Sequence, residues 1–217
     1  MSDAAGKQHT AAIQAAWSIE LLPESPVLVV PWHDDSGNVA YVDLRQCPEQ
    51  ITAIPEAMQH PALALLLQRL NADASPWATA KCDRWQMDEE DMEAASFDLE
   101  LARDDGNAAA GIGSYVDFYS RDTALFCSLQ QHRELLVLLT EVLQSPEELR
   151  QSAAVLCELT LRRCIVSGQE GFAITAFVYA VGQDLPVAEA NWAAALQTLA
   201  DVLLRDAMNL PAARGVS

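Results

Sequence analysis

Five polar side chains could form a small site on a sheet, provided that the strands carrying them lie side by side. They are Asp43, Cys82, Asp83, Arg84 and Asp117, and each lies in a stretch rich in β-branched or aromatic residues. Paired carboxylates can transfer protons, and a thiol beside cationic side chains can ionise and act as a nucleophile. If the protein binds a small molecule or is an enzyme, we expect its site near Asp43, Cys82 and Asp117.

The most acidic segment of the chain spans residues 88–105, with nine carboxylates and a single base, Arg103. Its first carboxylates are nearly consecutive and have no glycine among them, unlike a calcium-binding loop, in which oxygen ligands alternate around a glycine. We therefore expect a solvated loop, with a short strand near 96–101, that contacts a protein partner. The residues expected to make that contact are Asp88, Glu89, Glu90, Asp91 and Glu93.

Motifs for the common catalytic and metal chemistries are missing. No GxSxG, HExxH or phosphate-binding loop occurs, and the four histidines have no ligand-like spacing. The nearest cluster, His33-Asp34-Asp35 with Asp43, fits a polar hairpin turn. We therefore predict no catalytic residue, no cofactor and no metal ligand, and the enzyme hypothesis stays the alternative.

Composition narrows the range of partners. The 217 residues carry a formal net charge of −18, which disfavours binding to nucleic-acid backbones and to anionic membrane surfaces. The charge fits a basic protein partner, a cation or simple solubility. The first 17 residues lack the apolar core of a signal peptide, and five cysteines without CxxC spacing indicate a reduced, cytoplasmic protein.

Hydrophobic patterning predicts an α+β fold. We expect a mainly antiparallel sheet, built from hairpin–helix units, with helices packed on one face. The expected order begins with an N-terminal helical segment (1–25), continues with a single α+β domain (26–209) and ends with a frayed tail (210–217). Within the domain, the units would cover 26–71, 76–144 and 161–206. The shared pattern Tyr-Val-Asp at 41–43 and 115–117 raises the possibility that these units are true repeats.

Several local elements follow from the same patterns. Spacing at Ile13, Trp17 and Leu21 predicts a helix over 10–22, and the run 34–38 predicts a turn between strands 27–30 and 39–44. The safest helix covers Asp122 to Gln144. A capping pattern at 145–148 predicts a further helix that ends near Thr160.

Aromatic residues suggest one further hypothesis. Six of them, with Arg84, could line one face of the sheet and form a groove for a ligand or a peptide. These are Trp32, Tyr41, Trp77, Trp85, Tyr115 and Tyr119. Core packing would explain each of them equally well.

Our leading functional hypothesis is a non-catalytic, acidic, cytoplasmic protein that binds another protein, as an adaptor, assembly factor or inhibitor. The alternative is the small-molecule binder or enzyme described above. A third possibility, mimicry of the charge of a nucleic acid, would require carboxylates arrayed in rows across a rigid surface. The oligomeric state is left open.

Overall fold

The computed structural model describes residues 11–33, 40–99, 109–150 and 153–206. These residues form six strands and seven α-helices, with a 3-10 helix at Pro48–Ala53. The strands are β1 (Ile13–Glu20), β2 (Val27–Val30), β3 (Trp77–Gln86), β4 (Ala110–Ser120), β5 (Val155–Val166) and β6 (Gln169–Gly182). The helices are α1 (Pro55–Gln59), α2 (Pro61–Asn71), α3 (Glu89–Asp98), α4 (Thr123–Phe126), α5 (Leu129–Leu143), α6 (Glu147–Arg150) and α7 (Leu185–Asp206).

All six strands belong to one mixed sheet. Its order is β1–β5–β6–β4–β3, and β2 also pairs with β5, directly after β1. The pairs β5–β6, β6–β4 and β4–β3 are antiparallel, whereas β1 and β2 run parallel to β5. The fold is therefore α+β, as expected, with a sheet that combines antiparallel and parallel pairs.

Helices α2, α5 and α7 cover one face of this sheet and close the main core. Two buried tryptophans join the layers: Trp77 of β3 donates its indole N–H to the carbonyl of Leu203 in α7, and Trp192 of α7 donates to Ser114 Oγ in β4. A polar group in this interior requires a partner, because an unsatisfied donor is costly there. We call this side of the sheet the helix face and the opposite side the open face.

The edge strand β3 is interrupted by a bulge at which side chains cap two backbone groups. A bulge between Thr79 and Lys81 interrupts the pairing with β4. At this point Thr79 N–H donates to Asn71 Oδ1, and the carbonyl of Ala80 accepts from the indole of Trp32. A bulge with capped backbone groups keeps an edge strand from pairing with another chain.

The N-terminal helix expected over 10–22 is wrong, because Ile13–Glu20 is a strand. The apolar residues at 13, 17 and 21 fit a helical period, but Ile13, Ala15, Trp17 and Ile19 also alternate with a period of two. Pairing with β5, a contact between distant parts of the chain, selects the strand. Such a contact overrides local preference.

The first expected hairpin–helix unit is not formed. β2 joins β5 rather than residues 39–44, and Tyr41 to Asp43 are irregular. A single bridge between His33 and Ala40 is the only pairing among the described residues of this segment, and the expected turn at 34–38 lies outside them. The Tyr-Val-Asp pattern therefore marks one irregular segment and one central strand, β4.

Three more local expectations are corrected. The helix expected from 145 to about Thr160 is only the four-residue α6, because Val155–Val166 is a buried strand. The short strand expected near 96–101 is helical up to Asp98, and Glu100 and Leu101 lie outside the described residues. The single helix expected over Asp122 to Gln144 is two helices, the short α4 and the long α5, which Cys127 and Ser128 separate.

In the described part of the chain, no helix has both the length and the apolarity needed to cross a bilayer.

Asn71 tests how the bulge is held. Its side chain accepts from Thr79 N–H and donates to Leu67 O and Thr79 Oγ1, and it is buried. We expect Asn71→Ala to lower the free energy of unfolding by about 1–3 kcal/mol, because a buried backbone donor loses its partner. Urea denaturation measures this loss, and Gln68→Ala, at an exposed site on the same helix, should change stability by less than about 0.5 kcal/mol.

Candidate functional site

The residues predicted to form a ligand site lie on both faces of the sheet. Cross-strand register places Asp83 opposite Tyr115 and Asp117 opposite Lys81, on the open face. Because successive strand residues point to opposite faces, Cys82 and Arg84 lie on the helix face. The predicted site is therefore divided by the sheet itself.

On the helix face, Arg84 belongs to a cluster with α1 and α7. Its guanidinium lies 3.5 Å from Glu189 and 5.8 Å from the ring centroid of Trp192. His60 lies 3.5 Å from the same Glu189 oxygen. Although Glu189 favours protonation of His60, burial and the charge of Arg84 lower the pKa of this histidine. At neutral pH the cluster is therefore an Arg–Glu pair packed on a tryptophan, and it joins β3 to α7.

Cys82 lacks the properties of a nucleophile. Burial, with smaller contributions from Glu56, Asp83 and Asp117, raises the pKa of its thiol to about 12. A reactive cysteine requires the opposite, a thiolate favoured by nearby cations. Lys81 and Arg84, the neighbours that suggested activation, do not offset this effect.

Asp43 acts locally. Its carboxylate accepts hydrogen bonds from the backbone N–H groups of Arg45 and Gln46 and from the Gln46 side chain. This arrangement closes the turn that leads to the 3-10 helix. Asp43 therefore does not meet Cys82 or Asp117.

A cavity of about 280 Å³ lies between α2 and α7, away from all the predicted ligand residues. Alanines and leucines line most of it, with Arg69 and Gln197 among them. Arg69 is bound to Asp201 at 2.7 Å. The volume is slightly below the range of typical small-molecule sites, so this cavity gives no support to the small-molecule hypothesis.

On the open face, the register aligns side chains in rows that cross the sheet. We use two names: the aromatic floor for Trp85, Tyr179, Phe177 and Tyr115, and the polar row for Ser18, Thr160, Thr175, Asp117 and Lys81. The two groups lie side by side, because each residue of the polar row is two residues away, along its own strand, from the row that contains Phe177 and Tyr115. Together they cross five strands, a distance of about 19 Å at the usual strand spacing.

The aromatic floor is a continuous chain of ring contacts. Trp85 meets Tyr179 edge-on with 6.1 Å between centroids, Tyr179 stacks on Phe177 at 6.2 Å, and Phe177 meets Tyr115 at 6.0 Å. Gly113 lies beneath the indole of Trp85, where a Cβ atom would come within 2.4 Å of the ring. All four aromatic residues are half-buried, so parts of their rings face solvent.

Helix α3 forms one wall beside this floor. Asp88 caps its first turn by accepting from Asp91 N–H, and Asp91 accepts from the indole of Trp85 at 2.9 Å. At the other end, the Gln14 side chain of β1 donates to the carbonyl of Asp98. The helix therefore crosses the sheet from β3 to β1, and its apolar side packs on Met87, Leu156 and Val181.

A second wall is formed by the described residues of the segment that follows β2. Val30 and Tyr41 pack with Phe126, Cys164 and Ala173 on the open face. Trp32 continues across the sheet to β3, where its indole donates to Ala80 and Lys81 Nζ lies 5.3 Å from its ring centroid. We call the strip of open face between α3 and this segment the trough. Its base is the aromatic floor and the polar row.

Carboxylates surround the trough. Glu158 and Asp83 flank Phe177 and Tyr115 in the same cross-strand row. Burial raises the pKa of Tyr179, and the negative charges of Glu158, Asp91 and Asp98 raise it further. These charges therefore lie close enough to the aromatic floor to act on it electrostatically.

A cation of the protein itself already lies on this floor. Arg162 pairs in register with Ala173, four residues before Phe177 on β6. Its guanidinium carbon lies 5.5 Å from the Phe177 centroid, and Glu20 holds it with a 3.0 Å ion pair. To reach Phe177, the Arg162 side chain must pass over the polar row. It thereby helps to bury Thr160 and Thr175, which are 1% and 2% exposed.

Asp117 is the buried charge of the polar row. It accepts from Thr175 Oγ1, and Arg162 and Lys81 lie near enough to favour its ionised form. Burial outweighs these effects and raises the pKa of the carboxyl. Asp117 therefore links β4 to β6 through its hydrogen bond with Thr175. Because it is only 6% exposed, a substrate could not reach its carboxyl group.

The acidic segment is helical rather than a loop in its described part. Asp88 and Asp91 hold α3 in place, whereas Glu89, Glu90 and Glu93 are exposed on it. Carboxylates in the first turn also stabilise the positive end of the helix. Residues 100–105 of the expected acidic loop lie outside the described residues.

Among the described residues, no three His, Cys, Asp or Glu side chains meet in a way that could hold a metal ion. His33 is exposed beside its bridge to Ala40, and Asp34 and Asp35 are outside this part of the chain. His132 is fully buried, with its Nδ1 3.0 Å from the carbonyl oxygen of Ser128.

Sequence reasoning identified part of the trough and missed the rest. Trp85 and Tyr115 do share a face, as expected, but Trp77 is in the core and Arg84 is on the helix face. Phe177, Tyr179, Glu158 and Arg162 were not predicted. Glu158 was expected in a helix ending near Thr160, and the cross-strand register that brings Arg162 to Phe177 is not visible in the local sequence pattern.

Asp117 offers a test of the electrostatics. Its pKa is raised in the folded protein, so folding becomes less favourable as the pH rises from about 4, the unfolded value, through the folded value. We expect Asp117→Asn, which keeps an oxygen for Thr175, to increase the free energy of unfolding at pH 7. The gain should disappear below about pH 4 in urea titrations. A loss of stability at pH 7 would instead show that Arg162 and Lys81 outweigh burial, and the exposed Asp83→Asn is the control.

Comparison with protein-family models finds no match, and comparisons with curated proteins and with solved structures find no significant match either.

Proposed function

We propose that this protein binds a basic, extended segment of another protein in the trough, without catalysing a reaction. The partner's arginine or lysine side chains would lie on the aromatic floor and pair with the surrounding carboxylates. Aromatic faces attract cations, and nearby negative charge strengthens the attraction. The net charge of −18 would draw such a partner from a distance.

The position of Arg162 is the observation that carries this proposal. Its guanidinium over Phe177, paired with Glu20, is a contact between a cation, an aromatic ring and a carboxylate inside the trough. Tyr179, Tyr115 and Trp85 present further half-exposed rings, with Glu158, Asp83 and Asp91 beside them. The remaining rings and carboxylates offer a partner the same kind of contact that Arg162 makes within the chain.

The shape of the trough favours a polypeptide over a small molecule. It is open and crosses five strands, a length that about six residues of an extended peptide would cover. An enzyme site near Asp43, Cys82 and Asp117 is not favoured, because these residues lie apart on two faces and on a turn. The five free cysteines fit a partner met in a reducing compartment such as the cytoplasm.

The decisive experiment measures binding of a labelled peptide of about eight residues, with arginine and serine alternating, by fluorescence anisotropy. We expect the double variant Asp83→Asn/Glu158→Gln to bind roughly three- to tenfold more weakly than the natural protein at low salt. The matched control, Glu24→Gln/Glu141→Gln, removes the same charge from sites outside the trough. It should weaken binding by less than about twofold.

Equal weakening by the two double variants would contradict the proposal, because it would show attraction to net charge without a site. Binding that stays constant as salt is raised would also contradict it, since exposed charges are screened. Thermal unfolding of each variant checks that the fold is retained.

Phe177 separates the aromatic contribution from the charges. We expect Phe177→Leu, which keeps an apolar side chain but lacks a ring, to weaken the arginine peptide about two- to fivefold. A lysine-for-arginine peptide should be affected less, because a guanidinium also stacks on the ring. An unchanged affinity in Phe177→Leu would show that the Phe177 ring does not contribute to peptide binding.

A further inference from the structure

Strands β1 and β2 form one continuous sheet edge. β1 pairs with β5 up to Glu20 opposite Arg162, and β2 resumes with Val27 opposite Arg163, the next residue of β5. The six residues between them leave the edge and return to it. Arg163 holds this excursion by donating to the carbonyls of Leu22, Pro23 and Ser25. Every residue of β5 from 155 to 166 therefore has a paired neighbour in β1 or β2.

A stripe of exposed apolar side chains follows this edge. Trp17, Ile19, Val27 and Val29 are 38%, 37%, 37% and 47% exposed. Their partners on β5 are residues 159, 161, 163 and 165, so the four side chains alternate along one face. This is the helix face, because the partners of Trp17 and Ile19 lie in the main core. The stripe is about 20 Å long at the usual rise per strand residue.

Backbone groups on the outer side of β1 are covered only at its beginning. Ile13 N–H donates to Ser145 Oγ, Ile13 O accepts from Ser145 N–H, and Ala15 N–H donates to Gln144 Oε1. Because backbone direction alternates along a strand, Trp17 and Ile19 present their N–H and C=O groups outward too. Within the described residues, these groups have no hydrogen-bond partner.

The opposite edge of the sheet, strand β3, has features that hinder pairing with another chain. On β3, a bulge interrupts the pairing, and the side chains of Asn71 and Trp32 cap the backbone N–H of Thr79 and the carbonyl of Ala80. Exposed edges are usually blocked by lysine, proline or bulges. The stretch from Trp17 to Ile19 has none of these, and its side chains are apolar or small.

From these observations we infer that the β1–β2 edge receives an extended segment of a partner protein as an added strand. The segment has apolar residues at alternate positions, which contact the stripe, and basic residues between or beside them. Glu20 and Glu24 lie on this edge, and the net charge of −18 opposes the approach of a second copy of the chain. When a peptide is added to a sheet edge as a strand, backbone hydrogen bonds provide the affinity and alternate side chains provide the specificity.

The inference does not rest on the trough, which lies on the other face. Two labelled peptides of identical composition test it with the full chain: one alternates valine with threonine or lysine, and the other gathers the valines in one block. We expect the alternating peptide to bind at least about tenfold more tightly. Amide exchange by NMR should show fast exchange at Trp17 and Ile19 in the free protein and protection when that peptide is bound.

The matched variant is Ile19→Pro. Its N–H points away from β5, so proline removes only an outward donor and is tolerated at such a position. We expect this variant to keep its thermal stability within a few degrees and to lose at least about tenfold in affinity for the alternating peptide. Ile19→Lys, which keeps the N–H group, provides a second blocking variant should proline disturb the fold.

The double variant Asp83→Asn/Glu158→Gln separates the two surfaces, because it should leave binding of the alternating peptide within about twofold. Equal affinity for the two peptides, or an Ile19→Pro variant that binds as well as the natural protein, would overturn the inference. So would slow exchange at Trp17 and Ile19 in the free monomer. If the protein forms a concentration-dependent dimer that Ile19→Pro dissociates, the strand added at this edge comes from a second copy of the chain and not from a partner protein.

Discussion

The unbroken pairing of β5 with β6 is the constraint on which the rest of the structure depends. All twelve residues of β5 find partners on β6, without a bulge. A one-residue slip of β5 against β6 would turn the side chains of β5 to the opposite face of the sheet. It would move Arg162 away from Phe177, bury Glu158 among the helices and break the alignment of Thr160 with Thr175. The trough and the main core are thus two results of one register.

The two faces of the sheet obtain their stability in different ways. On the helix face, long helices bury leucines, and hydrogen bonds between buried side chains, such as that from Trp192 to Ser114, join the two layers. On the open face, short elements cross the sheet and are anchored by single hydrogen bonds, such as that from Trp85 to Asp91. A face closed by few anchors has a low local stability. This property is compatible with the proposed binding of a partner segment in the trough.

Local patterns were sufficient for elements whose burial follows from their own sequence. The helical spacing of apolar residues predicted α5 in this way. Patterns failed where a distant strand decides the outcome: residues 13–20 fit a helix until β5 is present. The candidate site failed for a related reason. Neighbours in sequence, such as Cys82 and Asp83, are separated by the sheet, whereas Tyr115 and Phe177 become neighbours only through pairing.

Synthesis of the chain imposes an order on the formation of this sheet. Ser18 and Thr160 are hydrogen-bonded although 142 residues separate them. β1 and β2 therefore leave the ribosome long before β5, their only partner in the sheet, exists. During translation, β1 and β2 have no strand to pair with until β5 is made. The helices that follow β2, and the hairpin of β5 and β6, depend on contacts between residues that are closer in the sequence. This edge of the sheet therefore cannot form until β5 has been made.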